Sequence, residues 1–484
     1  MDHTGEITEY IGNLTRNLNT FFLLINGIII FLMQCGFAFL EAGSVRAKNT
    51  TNILIKNLLD VFLGAVAYWA IGYAFAFGDP SNAFLGHSYF FFHRLPEARL
   101  SHFFFHFVFA ATAATIVSGA MAERTAFKAY MIYSVFITGI IYPVVSHWAW
   151  SETGWLAVGP GNANVHYQDF AGSSVVHMVG GTAALVGAAV VGPRTGRFTN
   201  GADFRGHTVP LVALGGFILF FGFFSFNGGS RASISEPGDG VVVANAIVNT
   251  IICGSAAALV ALVLEKLVYG TKKWSLLVTI NGGLTGMVSI CAGCGALYAW
   301  GAFATGVFAG AIFVGVSALM EKVQIDDPLD AVAVHLGGGL WGILTVPLLD
   351  KDDGVFFKWD GDAFVSWGWN ALGACAIMVW TGGLCLVLFG LLRFLKVLRV
   401  DLHTERLGLD VPEHGEPAYP LMAYIGNDNR GNLGIQTGNM RNLPIQVSNF
   451  SNITAHDNPT LNNDENNRKM TSKKTDDDVQ RNTV

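Results

Sequence analysis

Two short stretches of this sequence hold an ionisable ring among small and apolar residues. They are QDFAGSSVVHMVGG, Gln168 to Gly181, and DAVAVHLGGGLWG, Asp330 to Gly342. Both read acid, short apolar run, Val-His, Gly-Gly. A neutral imidazole offers one donor and one acceptor and titrates near pH 6.5, so paired histidines suit a proton relay or a polar lining for an apolar passage. An ionisable group inside a membrane is costly and defaults to a functional role. On the residues alone, two alternatives stay open: unrelated histidines each bonded to a backbone carbonyl, or a metal site. No third ligand stands at a suitable spacing, so no metal and no cofactor is expected. Asp169 is either a direct cation ligand or base, or a helix cap whose carboxylate accepts backbone N–H bonds and gains from the macrodipole. Its place at a helix start favours the cap. Cys291 and Cys294 form a lone CxxC pair, and the six cysteines lie in apolar or Gly-rich sequence, where they read as small packing residues.

The elements that position these residues are membrane helices. The 484 residues are 52% hydrophobic and 13% charged, with mean hydropathy +0.44; an average soluble protein is roughly 25% charged. About 20 apolar residues in a helix cross a hydrocarbon core of roughly 30 Å. Apolar windows mark eleven spans, at 21–42, 54–77, 101–122, 127–149, 170–192, 208–228, 240–264, 275–298, 301–320, 331–349 and 364–392. The expected fold is therefore an all-α polytopic membrane protein. The first twenty residues contain acids and no early apolar core, so they do not form a cleavable signal peptide and are expected outside.

Charge asymmetry sets the orientation. With the N-terminus outside, sixteen Lys and Arg fall on inside connections, six fall outside, and seven lie in the distal tail. N-out and C-in requires an odd number of spans. The sequon Asn13-Leu14-Thr15 then faces the glycosylating side. GxxxG pairs at Gly282/Gly286, Gly306/Gly310 and Gly338/Gly342 predict close helix packing. The fifth span runs inward from Asp169 and the tenth outward from Asp330. At 1.5 Å per residue, His177 lies about 12 Å below one mouth and His335 about 7.5 Å above the other. Antiparallel spans five apart that bring like residues to mid-membrane are what a 5+5 inverted-topology repeat, plus an eleventh helix, would produce.

Seven ordered blocks resemble the ammonium transporters, the Amt/Mep branch of the Amt/Mep/Rh superfamily, across about residues 20 to 424. They are EAGSVRAKN (41–49), GAMAER (119–124), SHWAW (146–150), DFAGSSVVH (169–177), FSFNGGS (224–230), VHLGGGLWG (334–342) and ERLGLDVPEHGEPAY (405–419). The resemblance implies eleven helices with the inverted repeat, a plasma-membrane homotrimer with one pore per subunit, and no enzymatic activity. By motif, Trp150, Phe109 and Phe105 are similar to the aromatic walls of an outer NH4+ site, and Ser230 to its hydroxyl. Phe109 and Phe226 resemble a stacked pore gate, and His177 and His335 twin pore-lining histidines. Asp169 takes a structural and electrostatic role, and Phe223 stands in the inner pore where some members carry tryptophan. The implied substrate is ammonium or ammonia, with methylammonium as an analogue, and no nucleic-acid partner is expected. Whether the proton crosses with the ammonia stays open.

Beyond residue 399 the composition turns polar. Residues 400–425 resemble the family's ordered cytoplasmic segment, which docks on the pore and a neighbouring subunit. Pro412 stands where plant members carry a regulatory threonine. Residues 426–484, rich in Asn, Asp and Lys, are expected to be a disordered cytoplasmic tail. Two rivals remain: a Rhesus-like gas channel for NH3 or CO2, and an ammonium sensor with little bulk flux. Trp150 and Ser230 favour an ion-recruiting member over the first. A membrane enzyme would need a nucleophile or metal constellation, and neither stands out.

Overall fold

Long apolar runs with few breakers must satisfy their backbone groups internally, and in a membrane a helix does so within one segment. The computed structural model describes residues 3–79, 81–161, 165–199, 203–268, 270 and 273–420. Ten helices among them are long and apolar enough to cross a membrane. We number the main helices α1 (His3–Ser44), α2 (Ala47–Phe77), α3 (Glu97–Met121), α4 (127–150), α5 (Ser173–Val191) and α6 (Val209–Gly229). There follow α7 (Asp239–Val268), α8 (Leu276–Ile290), α9 (Ala299–Lys322), α10 (Val332–Leu349) and α11 (Gly361–Phe394). The tail expected at 426–484 lies outside the described residues.

Two elements depart from the apolar windows. Helix α1 starts at His3, well before the span expected from residue 21, because helicity continues through polar sequence that hydropathy does not score. Asn13 of the sequon lies on this exposed helical stretch, bonded to Arg16. The eighth span, expected at 275–298, is a 15-residue helix followed by buried turns at Cys291, Ala292 and Cys294. At about 1.5 Å per residue that helix alone falls short of a roughly 30 Å core. The non-helical end of this shorter helix is tolerated because protein surrounds it.

Helices α3, α4, α5 and α10 are mostly buried, whereas α1, α6, α7, α9 and α11 keep most of their surface open. The second group carries apolar side chains outward, such as Phe217, Val263, Phe308 and Val387, as a lipid-facing surface requires. Small residues let the helices approach. A Cβ on Gly286 or Gly306 would come within 2.6 Å of Ala257 or 2.9 Å of Ala256, so the GxxxG pairs of α8 and α9 both close on α7.

The blocks EAGSVRAKN and GAMAER form a buried charge latch. Glu123 pairs with Arg46 at 2.7 Å and Arg194 at 3.3 Å, and Arg194 bonds Asp326 at 2.8 Å. Arg124 donates to the Asp326 carbonyl at 2.7 Å. The latch joins the ends of α1, α3 and α5 to the loop before α10. Burial pushes the carboxyls of Glu123 and Asp326 up, but the arginines outweigh it, holding Glu123 below its usual range and Asp326 at about 2.

The segment after α11 docks on the same end of its own subunit. Glu405 accepts from Thr195 N at 2.6 Å and pairs with Arg399 at 2.7 Å. Asn49 Oδ1 accepts from Leu409 N, and Asp410 Oδ1 from Asn52 N, each at 2.9 Å. Pro412 lies in a π turn, Asp410–His414, whose His414 contacts Asn52 at 2.8 Å.

Candidate functional site

At the end of α4, the indole Nε1–H of Trp150 donates to the Asp169 carbonyl at 2.7 Å, which fixes the ring and turns its face to α3. Phe109 meets it edge-on, centroids 5.9 Å apart, and Phe105 packs on Phe109 at 4.9 Å. The turn beside Trp150 needs glycine: Gly172 has φ +101°, and a Cβ there would meet the indole at 3.2 Å. Ser230, at the end of α6, donates its hydroxyl to the Phe226 carbonyl at 2.7 Å. With its proton committed, its lone pairs are left to accept from a ligand.

Phe226, one turn earlier on α6, lies 4.3 Å from Phe109 with ring planes at 30°. Both rings are buried. Phe226 then meets His177 at 5.4 Å, and Phe223 stacks on the same imidazole at 5.7 Å. His177 and His335 share Nδ1···Nδ1 at 3.1 Å, their rings near-parallel at 18°. A proton on one Nδ1 serves both, so one ring presents Nε2–H and the other a bare Nε2. The buried Nε2 of His177 has no hydrogen-bond partner among the described residues. Phe37 of α1 flanks His335 at 6.4 Å.

Both histidines sit in π turns that open their helices, Ser173–Met178 and Val332–Gly337. Such turns recur at functional sites because they re-aim side chains at a cost in regular bonding. The two helices cross antiparallel. A Cβ on Gly181 would come 2.8 Å from Leu336 Cα, one on Gly339 2.9 Å from Met178 Cγ, and one on Gly342 2.7 Å from Ser173 Oγ. The Gly-Gly after each histidine is therefore the close approach that brings the rings together.

The carboxylate of Asp169 is fully committed. Oδ1 accepts from Gly172 N at 2.9 Å; Oδ2 accepts from Ser174 N, Val175 N and Ser174 Oγ at 2.9, 3.0 and 2.6 Å. In the second half, however, the capping acid is not Asp330. Asp327 Oδ2 accepts from Val332 N at 2.7 Å, while Asp330 bonds Ser317 on α9 at 2.7 Å. Asp327 precedes His335 by eight residues, as Asp169 precedes His177. Equal spacing was the signal; the acid nearer in sequence hid it. His102 and His106 on α3 also escaped the sequence. His106 lies 5.8 Å from Trp150 and His102 bonds Tyr73 at 3.0 Å. Their spacing of one helical turn, in line with Phe109, was the available clue. Cys291 and Cys294 are buried free thiols, and among the described residues no cluster of three or more His, Cys, Asp or Glu is placed to hold a metal.

By class this is a polytopic helical membrane protein that buries an aromatic cluster, a close phenyl pair and a bonded histidine pair in succession. The model of the Ammonium Transporter Family matches residues 21–419, and the chain belongs to that family. It is 48% identical to "Putative ammonium transporter 1" of Caenorhabditis elegans, over 87% of this chain and 82% of that one. It is 39% identical to ammonium transporter 1 member 3 of Solanum lycopersicum, over 84% and 94%. A solved structure titled "Sensor Amt Protein" superposes with TM-score 0.76 at 34% identity, covering 83% of this chain and all of that one. The family is one of transporters and not of enzymes.

Proposed function

We propose that the protein transports ammonium across the plasma membrane as a homotrimer, with one path per subunit and the C-terminal end inside. NH4+ is recruited by Trp150, Phe109, Phe105 and Ser230, gives up a proton near the Phe109–Phe226 gate, and passes as NH3 along His177 and His335. The observation that carries this is the unbroken succession from Trp150 to His335, with neighbouring rings 4.3 to 5.9 Å apart.

The chemistry favours ammonium over potassium. Aromatic faces attract any cation, by about 0.5–1 kcal/mol when exposed and about 2 or more when desolvated. The lone pairs of Ser230 distinguish an ion with N–H donors from one without. A full charge in the dry gate costs several kcal/mol, on the order of 2.5–3.5 on insertion scales and more on others, whereas neutral ammonia avoids it. Below the gate, bare Nε2 and Nε2–H give NH3 both an acceptor and a donor.

The test is flux in vesicles containing the purified protein, with ammonium against potassium, read electrically and by internal pH. Current carried by ammonium supports the proton crossing with the ammonia; alkalinisation without current marks net NH3 passage and a Rhesus-like channel. Absence of flux selects a sensor, for which the specific support is the 34% likeness to the structure titled "Sensor Amt Protein".

A further inference from the structure

The centroids of His106, Phe109 and Trp150 form a triangle with sides of 6.3, 5.9 and 5.8 Å. Two of its corners are the aromatic walls of the recruitment site. The third is an imidazole whose buried Nδ1 has no hydrogen-bond partner among the described residues. Other histidines nearby are satisfied: His147 lies at 2.8 and 2.7 Å from the carbonyls of Ala76 and Asn82, and His102 bonds the Tyr73 hydroxyl. A buried polar atom left unpaired costs about 1–3 kcal/mol, so a ligand bond to it is a physical reason for its persistence.

We propose that His106 is a further ligand of the ammonium site: its Nδ1 accepts an N–H of the bound cation. This rests on the ammonium reading of the Trp150 and Phe109 cluster. The neutral Nε2–H tautomer leaves Nδ1 as an acceptor that ammonium can use and potassium cannot, which adds to the role of Ser230. An imidazolium in the same place has lost that lone pair and repels the incoming charge.

The surroundings do not neutralise such a charge. Phe77 of α2 packs on the ring at 4.3 Å, and Phe105 of its own helix at 5.7 Å. The titratable neighbours are His102 at 4.2 Å, with Tyr73 behind it, and Arg99, which donates to the Phe77 carbonyl at 3.3 Å. The Asp169 carboxylate, behind Trp150, is consumed by its four donors.

The experiment measures ammonium currents or uptake in the full-length protein, with wild type, His106→Leu, His106→Gln and His102→Gln. Loss of a hydrogen bond to a charged partner should raise the apparent KM of His106→Leu by roughly tenfold or more at pH 7.5. His106→Gln keeps an acceptor, so it should hold KM near wild type, as should His102→Gln. An unchanged KM in His106→Leu, or a KM raised as far in His102→Gln as in His106→Leu, overturns the proposal. Absence of flux in the wild type overturns the transport reading itself; normal wild-type flux with unaltered variants sinks only the assignment of His106.

Discussion

Nδ1 of His177 lies 3.1 Å from Nδ1 of His335 across 158 residues of sequence, and the two rings stack at 18°. Each imidazole can share the proton only with the other present. Removing one ring therefore strips the partner of its hydrogen bond and leaves a polar edge among Phe223, Phe226 and Phe37. We expect His177→Ala or His335→Ala to abolish or severely alter ammonium-dependent growth of a transport-deficient strain, at unchanged membrane abundance. Wild-type growth and current in both variants would remove the pair from the mechanism.

Much of this arrangement was legible in the sequence, and the gaps have physical causes. Hydropathy located the spans because lipid-facing and buried positions are both apolar. For the same reason it could not separate the α8 helix from the equally apolar buried turns at Cys291–Cys294. Gly-Gly after Val-His marked both histidines, since only a residue without Cβ lets Gly181 lie on the His335–Leu336 backbone. Asp327 was obscured by Asp330 because a linear pattern does not show which carboxylate turns toward the helix start. His106 does not stand out in the sequence because an aromatic run such as HFFFHF does not reveal which face the fold turns inward.

The Phe109 ring contacts Trp150 and Phe226 alike, so the proposed function gives it a part in both the recruiting cluster and the gate. Phe109→Ala removes one cation-attracting face and opens the dry constriction in one change. Discrimination for ammonium over potassium and methylammonium should fall, with potassium current appearing where wild type shows little. Bi-ionic reversal potentials measure it, and an unchanged selectivity would argue against the aromatic site.

Asp169 caps the π turn that carries His177 and, through its carbonyl, holds Trp150. An amide at this position cannot accept at both terminal atoms, so Asp169→Asn leaves buried backbone donors unmatched at a cost of about 1–3 kcal/mol. The expected outcome is a lower melting temperature in detergent together with reduced transport. A variant with wild-type thermal stability and a raised KM would instead mark Asp169 as a group that acts on the ion.

The Arg46–Glu123–Arg194–Asp326 latch makes bundle stability acid-sensitive. Both carboxyls are held below their usual range in the folded state, Asp326 at about 2. Their contribution is complete above the ordinary carboxylate range of about 4 and is lost as pH falls through the folded values. Glu123→Gln leaves Arg46 and Arg194 poorly compensated in a buried site and should cost about 3–5 kcal/mol. Melting curves from pH 7 down to pH 3 should show wild type losing stability on acidification and Glu123→Gln starting low with a shallower slope. Parallel curves would show that the latch does not govern this dependence.

Glu405 ties the segment after α11 to the end of α5 through Thr195 N, and it pairs within the segment with Arg399, which donates to the Val191 carbonyl. The remaining anchors, Asn49 to Leu409 and Asp410 to Asn52, hold the far side of the same segment on the start of α2. Glu405→Ala removes a bond from a charged acceptor and frees one end while the other stays attached. The lost bond, about 1.5–3 kcal/mol, should raise the detached population roughly tenfold or more. Trypsin should then cut at Arg406 faster than in wild type by a similar factor, with the transmembrane region uncut. If docking also supports transport, the same variant should show reduced current at equal surface abundance. Unchanged cleavage would mean that the Asn49 and Asp410 contacts alone suffice to hold the segment in place.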